Sequence, residues 1–238
     1  IPEDLEIVKG TAALRRRFLD IAISQSSEAY LKNLQQYNEA LKSRNIMLKK
    51  QDKYSRNTIT AYDYMLAEKG VQIEQERNEF VNKMNMALLE QSEIFFEKYK
   101  TISLKYISGI FQKVKLPPSI EDDPKEIYLN ILKKSYERDC FEGNTRYGPH
   151  RSELNCLLND KFLQAFGSEG ECRIAALAIR FACLKILQME IKSQKITVIV
   201  DDVLGELDKE KRKKFLQQLQ QCEQVIFANT DVPEEISE

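Results

Sequence analysis

Apolar side chains recur every three or four positions through the first hundred residues. The pattern predicts helices over residues 11–24 and 27–50, with Thr11 as the first N-cap, and a longer helical segment over 62–99 that Gly70 interrupts. The apolar stripes are wider and more aromatic than the seam of a two-stranded coiled coil. We therefore expect a packed helical hairpin or small bundle over residues 11–100.

The second half of the chain changes to a mixed pattern. It predicts strands over 101–108, 145–148, 153–158, 162–166, 196–200 and 224–228, and helices over 123–140, 173–189 and 209–221. Asn159-Asp160-Lys161 is a hairpin signal. The strand over 196–200, the helix over 209–221 and the strand over 224–228 form one parallel crossover. The two strands are continuously apolar, which predicts a sheet covered on both faces.

Composition narrows the class of protein. With 42% hydrophobic and 31% charged residues, 8 Gly and 6 Pro, the chain is neither disordered nor collagen-like. The formal charge of −1 means that any nucleic-acid surface must be local, and no uncharged run is long enough to span a membrane. Five cysteines without a CxxC motif predict reduced thiols in a cytoplasmic protein. Because residue 1 is Ile, we expect a piece of a longer protein.

Two adjacent carboxylates, Asp201 and Asp202, close the apolar strand over 196–200. The carboxyl edge of a parallel sheet is where open α/β folds hold ligands. In phosphate-handling sites the first carboxylate holds Mg²⁺ and the second orients or deprotonates a water molecule. The alternative is a strand end with two solvated acids.

Ser168 and Gly170 stand just before an apolar helix. Free backbone N–H groups and the positive end of the helix dipole there suit an anionic oxygen. The alternative is an ordinary capping box of Ser168 with Glu171. His150, the single histidine, and Arg151 offer either a structural or a phosphate-binding role.

Taken together, these segments resemble the bacterial RecF family of recombination mediators. The resemblance rests on residues 1–10, Arg15-Arg16-Arg17-Phe18-Leu19-Asp20, Gln36-Tyr37-Asn38, Ala40-Leu41-Lys42, Arg44-Asn45, Gly148-Pro149-His150-Arg151, residues 168–173, residues 201–204 and residues 206–208. These segments occur in the family's order and extend over nearly the whole chain.

The resemblance implies an α/β fold with a large helical insertion. It would form the C-terminal part of an ABC-type or SMC-type ATPase head together with an α-helical arm. The expected division is the end of a first ATPase segment at 1–10, the arm at 11–100, and the C-terminal ATPase part at 101–238.

The resemblance also implies roles for single residues. Ser168 and Gly170, with Glu171 and Arg173 beside them, match the ABC signature, which contacts the terminal phosphate of ATP held by the opposite subunit of a homodimer. Asp201 matches the Mg²⁺ ligand and Asp202 the carboxylate that activates water. Asp208 matches the D-loop aspartate, and Asn229 or Thr230 the phosphate sensor.

Three departures from the family pattern affect these roles. The phosphate-binding loop GxxxxGK[ST] does not occur in the sequence, so we expect the chain alone neither to bind ATP tightly nor to hydrolyse it. Glu169 and Cys172 replace the family's glutamines, and Gly205 replaces its serine. The charge of Glu169 would repel a phosphate unless Arg173 pairs with it.

DNA contact is predicted from basic clusters. The first comprises Lys42, Arg44, Lys49, Lys50, Lys53 and Arg56. Basic side chains without a base-reading motif imply salt-sensitive, sequence-independent phosphate contacts. A second cluster, over residues 209–214, is interspersed with acids and reads as a solvated helix face.

The leading functional prediction is an ATP-dependent protein of recombinational DNA repair and replication. Such a protein would bind gapped double-stranded DNA and, with RecO and RecR, assist RecA loading. The alternative is a non-catalytic interaction module made of a helical arm and a degenerate ATPase half. A third reading, an ATPase coupled to a nuclease, would need a metal-binding nuclease domain that the sequence does not contain.

Overall fold

The computed structural model describes residues 2–50, 55–96, 100–113, 123–191, 195–201, 207–220 and 222–228. The elements in chain order are α1 (Pro2–Lys9), α2 (Ala12–Ser24), α3 (Glu28–Lys50), α4 (Ser55–Phe95), β1 (Ile102–Ile107), α5 (Pro124–Glu142), β2 (Glu153–Leu158), β3 (Lys161–Phe162), α6 (Leu163–Phe166), α7 (Glu169–Glu190), β4 (Thr197–Asp201), α8 (Lys209–Leu219) and β5 (Gln224–Ala228). Short 3₁₀ turns occupy Phe111–Lys113 and Pro149–Arg151.

The chain packs as two compact units. The first comprises residues 1–10, 83–104 and 156–238, and the second comprises residues 11–82 and 105–155. We call them the sheet unit and the bundle unit. They are defined by packing alone, so the functional division at residues 10 and 100 stays a prediction.

The bundle unit contains α2, α3, α5 and the first part of α4. The Thr11 hydroxyl caps α2 by accepting from the Leu14 N–H. Asp123 caps α5, and Pro124 follows it in the first turn. Tyr30, Tyr37 and other large side chains of the predicted stripes are completely or almost completely buried. The helices predicted over residues 11–24 and 27–50 are confirmed. The unit that contains them also includes α5 and ends within α4 at residue 82, so the arm over residues 11–100 stays a prediction.

Helix α4 runs without a break through Gly70, where the sequence predicts an interruption. A Cβ atom at this position would lie 2.8 Å from Tyr128 Cε1 and 3.3 Å from Tyr37 Cε2. Gly70 therefore permits two buried rings to approach the helix, and it does not end the helix.

In the sheet unit, α7 packs against α1, and Phe181 of α7 stacks on Phe95 and meets the edge of Phe215. Strands β4 and β5 pair in parallel, with Asp201 opposite Ala228, as the crossover pattern predicts. The prediction of cover on both faces is wrong for the described residues. Ile199 and Ile226 lie opposite each other and are 69% and 47% exposed.

Two further strand predictions are wrong. Residues 145–148 form no strand, because the Thr145 side chain and N–H bond to Asn45 and Gly148 adopts φ 142°. The segment 162–166 has only its first residue in β3, and the rest is α6, with Leu163 buried and Phe166 exposed. The hairpin between β2 and β3 is confirmed: Asn159 and Asp160 both have positive φ, as a tight two-residue turn requires.

Candidate functional site

The N-terminus of α7 is closed by a complete capping box. The Ser168 hydroxyl accepts from the Glu171 N–H at 3.3 Å, and the Glu171 carboxylate accepts from the Ser168 N–H at 3.0 Å and from its hydroxyl at 2.9 Å. Those hydrogen bonds and Lys100, 3.2 Å away, hold the pKa of Glu171 below its ordinary value. In this arrangement a phosphate oxygen would compete with Glu171 for the Ser168 donors.

The surface around this helix end is open. Ser168 and Gly170 are exposed, and a Cβ atom on Gly170 would meet no other atom within 4 Å. Arg173 donates to the Glu169 carboxylate at 2.7 Å, so the charge that departs from the family pattern has a partner. Phe166, one turn earlier, is 75% exposed. The N-terminus of α7 is therefore accessible to a large anionic partner.

Asp201 is the last residue of β4 and is exposed at the carboxyl end of the strand. Within the ranges described, no group of three or more His, Cys, Asp or Glu residues is arranged to hold a metal. Asp202, Gly205, Asn229 and Thr230 lie outside the described residues. Asp201 and Ser168 belong to the same unit, and within the described residues no hydrogen bond or ion pair joins them.

Asp208 begins α8 as its N-cap. Its carboxylate accepts from the Lys211 N–H at 2.9 Å and pairs with the Lys211 ammonium at 2.8 Å. The hydrogen bond from the Lys211 side chain lowers the pKa of Asp208. In this chain Asp208 shapes the start of α8, and its predicted interface role stays a prediction.

His150 lies in the bundle unit, between two hydrogen-bond partners. Its Nε2 donates to the Thr145 carbonyl at 2.9 Å, so its Nδ1 accepts from the Tyr37 hydroxyl at 2.7 Å. Burial lowers the pKa of His150 to about 4. A neutral ring with both nitrogens occupied fits the structural alternative. Arg151 is exposed.

The basic cluster on α3 divides into exposed and buried members. Lys42, Lys49 and Lys50 are exposed, and no described carboxylate pairs with them. Arg44 is completely buried, so the prediction that it contacts DNA is wrong. Lys53 and the side chain of Arg56 lie outside what the structure describes.

Arg44 instead ties three helices together. It donates to Asp63 at 2.7 Å, to Asp139 at 2.8 Å and to the Thr145 hydroxyl at 2.9 Å. Burial raises the pKa of both carboxyl groups despite the guanidinium. Arg44 stands four positions after Ala40 and four before Leu48, both of which are buried, so it lies on the buried face of α3. This spacing was the signal available in the sequence, because a charge on a buried helix face needs buried partners.

All five cysteines are free thiols, as predicted from their spacing. Cys156, Cys172 and Cys183 are buried, and burial raises the pKa of Cys172 and Cys183. Among the described helices, none has the length and apolarity that crossing a bilayer requires.

Known proteins resemble the chain along almost its whole length. No protein-family model matches it. It is 37% identical over 226 residues to the DNA replication and repair protein RecF of Clostridium botulinum, a match that covers 94% of the chain and 60% of the relative. The RecF protein of Streptococcus thermophilus is 32% identical over 231 residues, covering 97% and 61%.

Over almost its whole length the chain is similar to RecF proteins. Two solved structures of the recombination mediator protein RecF in the RecFOR pathway, one with ATP, superpose with TM-scores of 0.84 and 0.83 at 31% identity. They cover 98% and 97% of the chain and 62% and 61% of the RecF chains. The predicted fold class is confirmed. The chain spans about three fifths of the length of the RecF relatives it matches.

Proposed function

We propose that the chain acts in recombinational DNA repair and replication as part of a RecF-type protein, by contacting duplex or gapped DNA in a nucleotide-dependent assembly. The observation that carries the proposal is the exposed basic face at the end of α3. Lys42 and Lys49 are seven residues apart and therefore share one face of the helix, with Lys50 beside them. The similarity of the chain to relatives named DNA replication and repair protein RecF supports this proposal.

Phosphate contact makes binding depend on charge and salt, not on base sequence. We expect the double variant Lys49→Glu/Lys50→Glu to bind a fluorescent DNA duplex about tenfold or more weakly at low salt, with a shallower dependence on salt concentration. The measurement is fluorescence anisotropy with the full chain.

The matched control is Lys209→Glu/Lys213→Glu on α8. Both lysines are exposed, and the change in net charge is identical. This variant should bind the duplex within about twofold of the unaltered chain, because local contacts and not net charge decide the affinity. Equal weakening by both variants, or unchanged affinity in the α3 variant, would remove the DNA-contact proposal.

The nucleotide side of the proposal rests on the N-terminus of α7. Ser168 and Gly170 would present donors to the terminal phosphate of ATP held by a second subunit, and Arg173, Glu171 and Asp208 would border that contact. Asp201 would hold Mg²⁺, Asp202 would orient the attacking water, and Thr230 would sense the phosphate. The bound metal ion would neutralise the phosphate charge. Matching solved structures of RecF with ATP support this assignment.

The partners proposed with this function are DNA, a second RecF-type subunit, and mediator proteins of the RecO and RecR type. The RecF relatives support a DNA-repair role. The matching solved structures are those of RecF as a recombination mediator protein of the RecFOR pathway. Free cysteines fit the cytoplasm as the proposed location. ATPase chemistry belongs to the assembly, since the GxxxxGK[ST] motif does not occur in these 238 residues.

A further inference from the structure

A cavity of about 580 Å³ opens in the bundle unit between α2 and α3. Its wall also includes Arg77 of α4 and the Pro149-His150 turn. None of the residues proposed above for nucleotide, magnesium or DNA contact lines it. Its size is in the range of ligand-binding clefts.

The floor of the cavity is a fixed ion pair. Arg77 is almost completely buried and donates to the Asp20 carboxylate at 2.7 Å, to the Pro149 carbonyl at 2.8 Å and to the Ser152 hydroxyl at 2.8 Å. Asp20 also accepts from the Tyr30 hydroxyl. Because Arg77 and Asp20 neutralise each other, the floor contributes shape and rigidity but little net charge.

Two further arginines, Arg16 and Arg17, line the cavity without forming a close ion pair with a described carboxylate. Arg16 is half-buried and donates to the Ser152 carbonyl at 2.7 Å, and Arg17 is exposed. No described carboxylate lies within ion-pair distance of either. Burial and the neighbouring charge of Arg77 lower the pKa of Arg16, and the nearby carboxylates of Asp20 and Glu153 offset this only in part. The cavity thus carries two positive charges that an anionic ligand would satisfy.

Aliphatic side chains also line the cavity. Ile21 and Leu31 are 49% and 39% exposed, and Leu34 lies on the same helix as Leu31. Single-stranded nucleic acids bind mainly by stacking their bases on aromatic faces and by placing their phosphates along basic grooves, neither of which calls for an aliphatic wall. Among the described residues, two aromatic rings line the cavity: Tyr37 is 1% exposed, and the half-buried His150 has both ring nitrogens in hydrogen bonds to Tyr37 and Thr145.

We propose that this cavity binds an acidic peptide segment of a partner protein, in which an apolar side chain is followed or preceded by carboxylates. The apolar side chain covers Ile21 and Leu31, and the carboxylates pair with Arg16 and Arg17. Guanidinium groups bind carboxylates through paired hydrogen bonds, which fixes the orientation of the segment. This site is separate from the proposed DNA contact on α3.

The probe is a short fluorescein-labelled peptide that alternates aspartate and leucine, titrated with the full chain and followed by anisotropy. We expect saturable binding that weakens about tenfold in Arg17→Glu and in Leu31→Ser, since one removes the charge partner and the other the apolar contact. Circular dichroism verifies that each variant is folded. Both positions are exposed, so neither substitution disturbs the core.

The control is Lys32→Glu, which reverses a charge as Arg17→Glu does. Lys32 is exposed, follows Leu31 on α3 and lies outside the cavity wall. This variant should leave peptide affinity within about twofold. Two further peptides replace aspartate by asparagine, or leucine by serine, and both should bind weakly. The proposal would be overturned if the asparagine peptide bound equally well or if Lys32→Glu weakened binding as much as Arg17→Glu. It would also be overturned if a DNA duplex displaced the peptide and Arg17→Glu abolished that displacement.

Discussion

At the scale of single residues, burial decides which charges the chain can use. His150 lies between the Thr145 carbonyl and the Tyr37 hydroxyl, and its pKa falls to about 4 because burial disfavours the imidazolium. Arg44 keeps its charge in a buried site only because Asp63 and Asp139 lie beside it. Arg44 connects three helices and is removed from solvent, whereas His150 fixes the turn at residues 149–151 against α3.

The titration of His150 can be measured without any substitution, because it is the single histidine of the chain and its signals need no assignment. An unfolded histidine titrates near 6.5, and the folded one near 4. Between these values the unfolded chain binds a proton that the folded chain does not, so this residue makes the free energy of unfolding fall by about 3 kcal/mol as the pH drops through that window.

We expect the imidazole signals in a ¹H–¹³C NMR spectrum to remain at their neutral position from pH 8 to about pH 5. Buried carboxyl groups with raised pKa values, among them Asp63 and Asp139, shift stability in the opposite direction, so NMR is a cleaner readout than a denaturation curve. A midpoint near the ordinary histidine value would contradict the buried, doubly hydrogen-bonded assignment.

Replacing Arg44 tests its structural role. Arg44→Met leaves two buried carboxylates without their cation, which should lower the free energy of unfolding by about 3–5 kcal/mol in urea denaturation. Lys42→Met, two positions away and exposed, should change it by less than about 0.5 kcal/mol. Similar small losses in both variants would show that the Arg44 network contributes little.

At the scale of elements, α4 illustrates how a helix accepts a residue that its propensity disfavours. Gly70 sits in mid-helix, where glycine costs about 1 kcal/mol relative to alanine. It is retained in an unbroken helix because Tyr128, Tyr37 and Pro149 pack onto its Cα. Tertiary packing there outweighs the local preference.

Gly70→Ala should therefore destabilise the chain, although the same exchange usually stabilises a helix. The added methyl group would lie 2.8 Å from Tyr128 Cε1, and overpacking of this kind costs about 1–3 kcal/mol. Gly170→Ala is the matched control in α7, where nothing lies within 4 Å, and it should be neutral or stabilise by up to about 1 kcal/mol. Urea denaturation of both variants measures the difference, and a gain in stability for Gly70→Ala would refute the packing argument.

At the scale of the whole molecule, the two packing units divide the proposed tasks. The sheet unit contains the accessible N-terminus of α7 and the strand-end Asp201, and the bundle unit contains the lysines of α3 and the cationic cavity. The open face of the β4–β5 sheet, with Ile199 opposite Ile226, is the main departure from the expected architecture of the sheet unit.

Local chemistry made much of this organisation predictable. The caps at Thr11, Asp123 and Ser168, the turn at residues 159–160 and the parallel crossover all depend on residues close in sequence. The candidate residues Ser168, Gly170 and Asp201 were identified because helix ends and strand ends have recognisable sequences.

By itself, the sequence determined the periodicity of the helices, their N-caps and the order of the mixed half, because these follow from hydrogen bonds and side-chain spacing along a short stretch of chain. Only the tertiary structure decided that Arg44 is buried, that residues 145–148 form no strand, and that Arg16, Arg17 and the aliphatic wall surround one cavity. These outcomes depend on partners many residues away, and the balance between desolvation and pairing is set only when those partners meet.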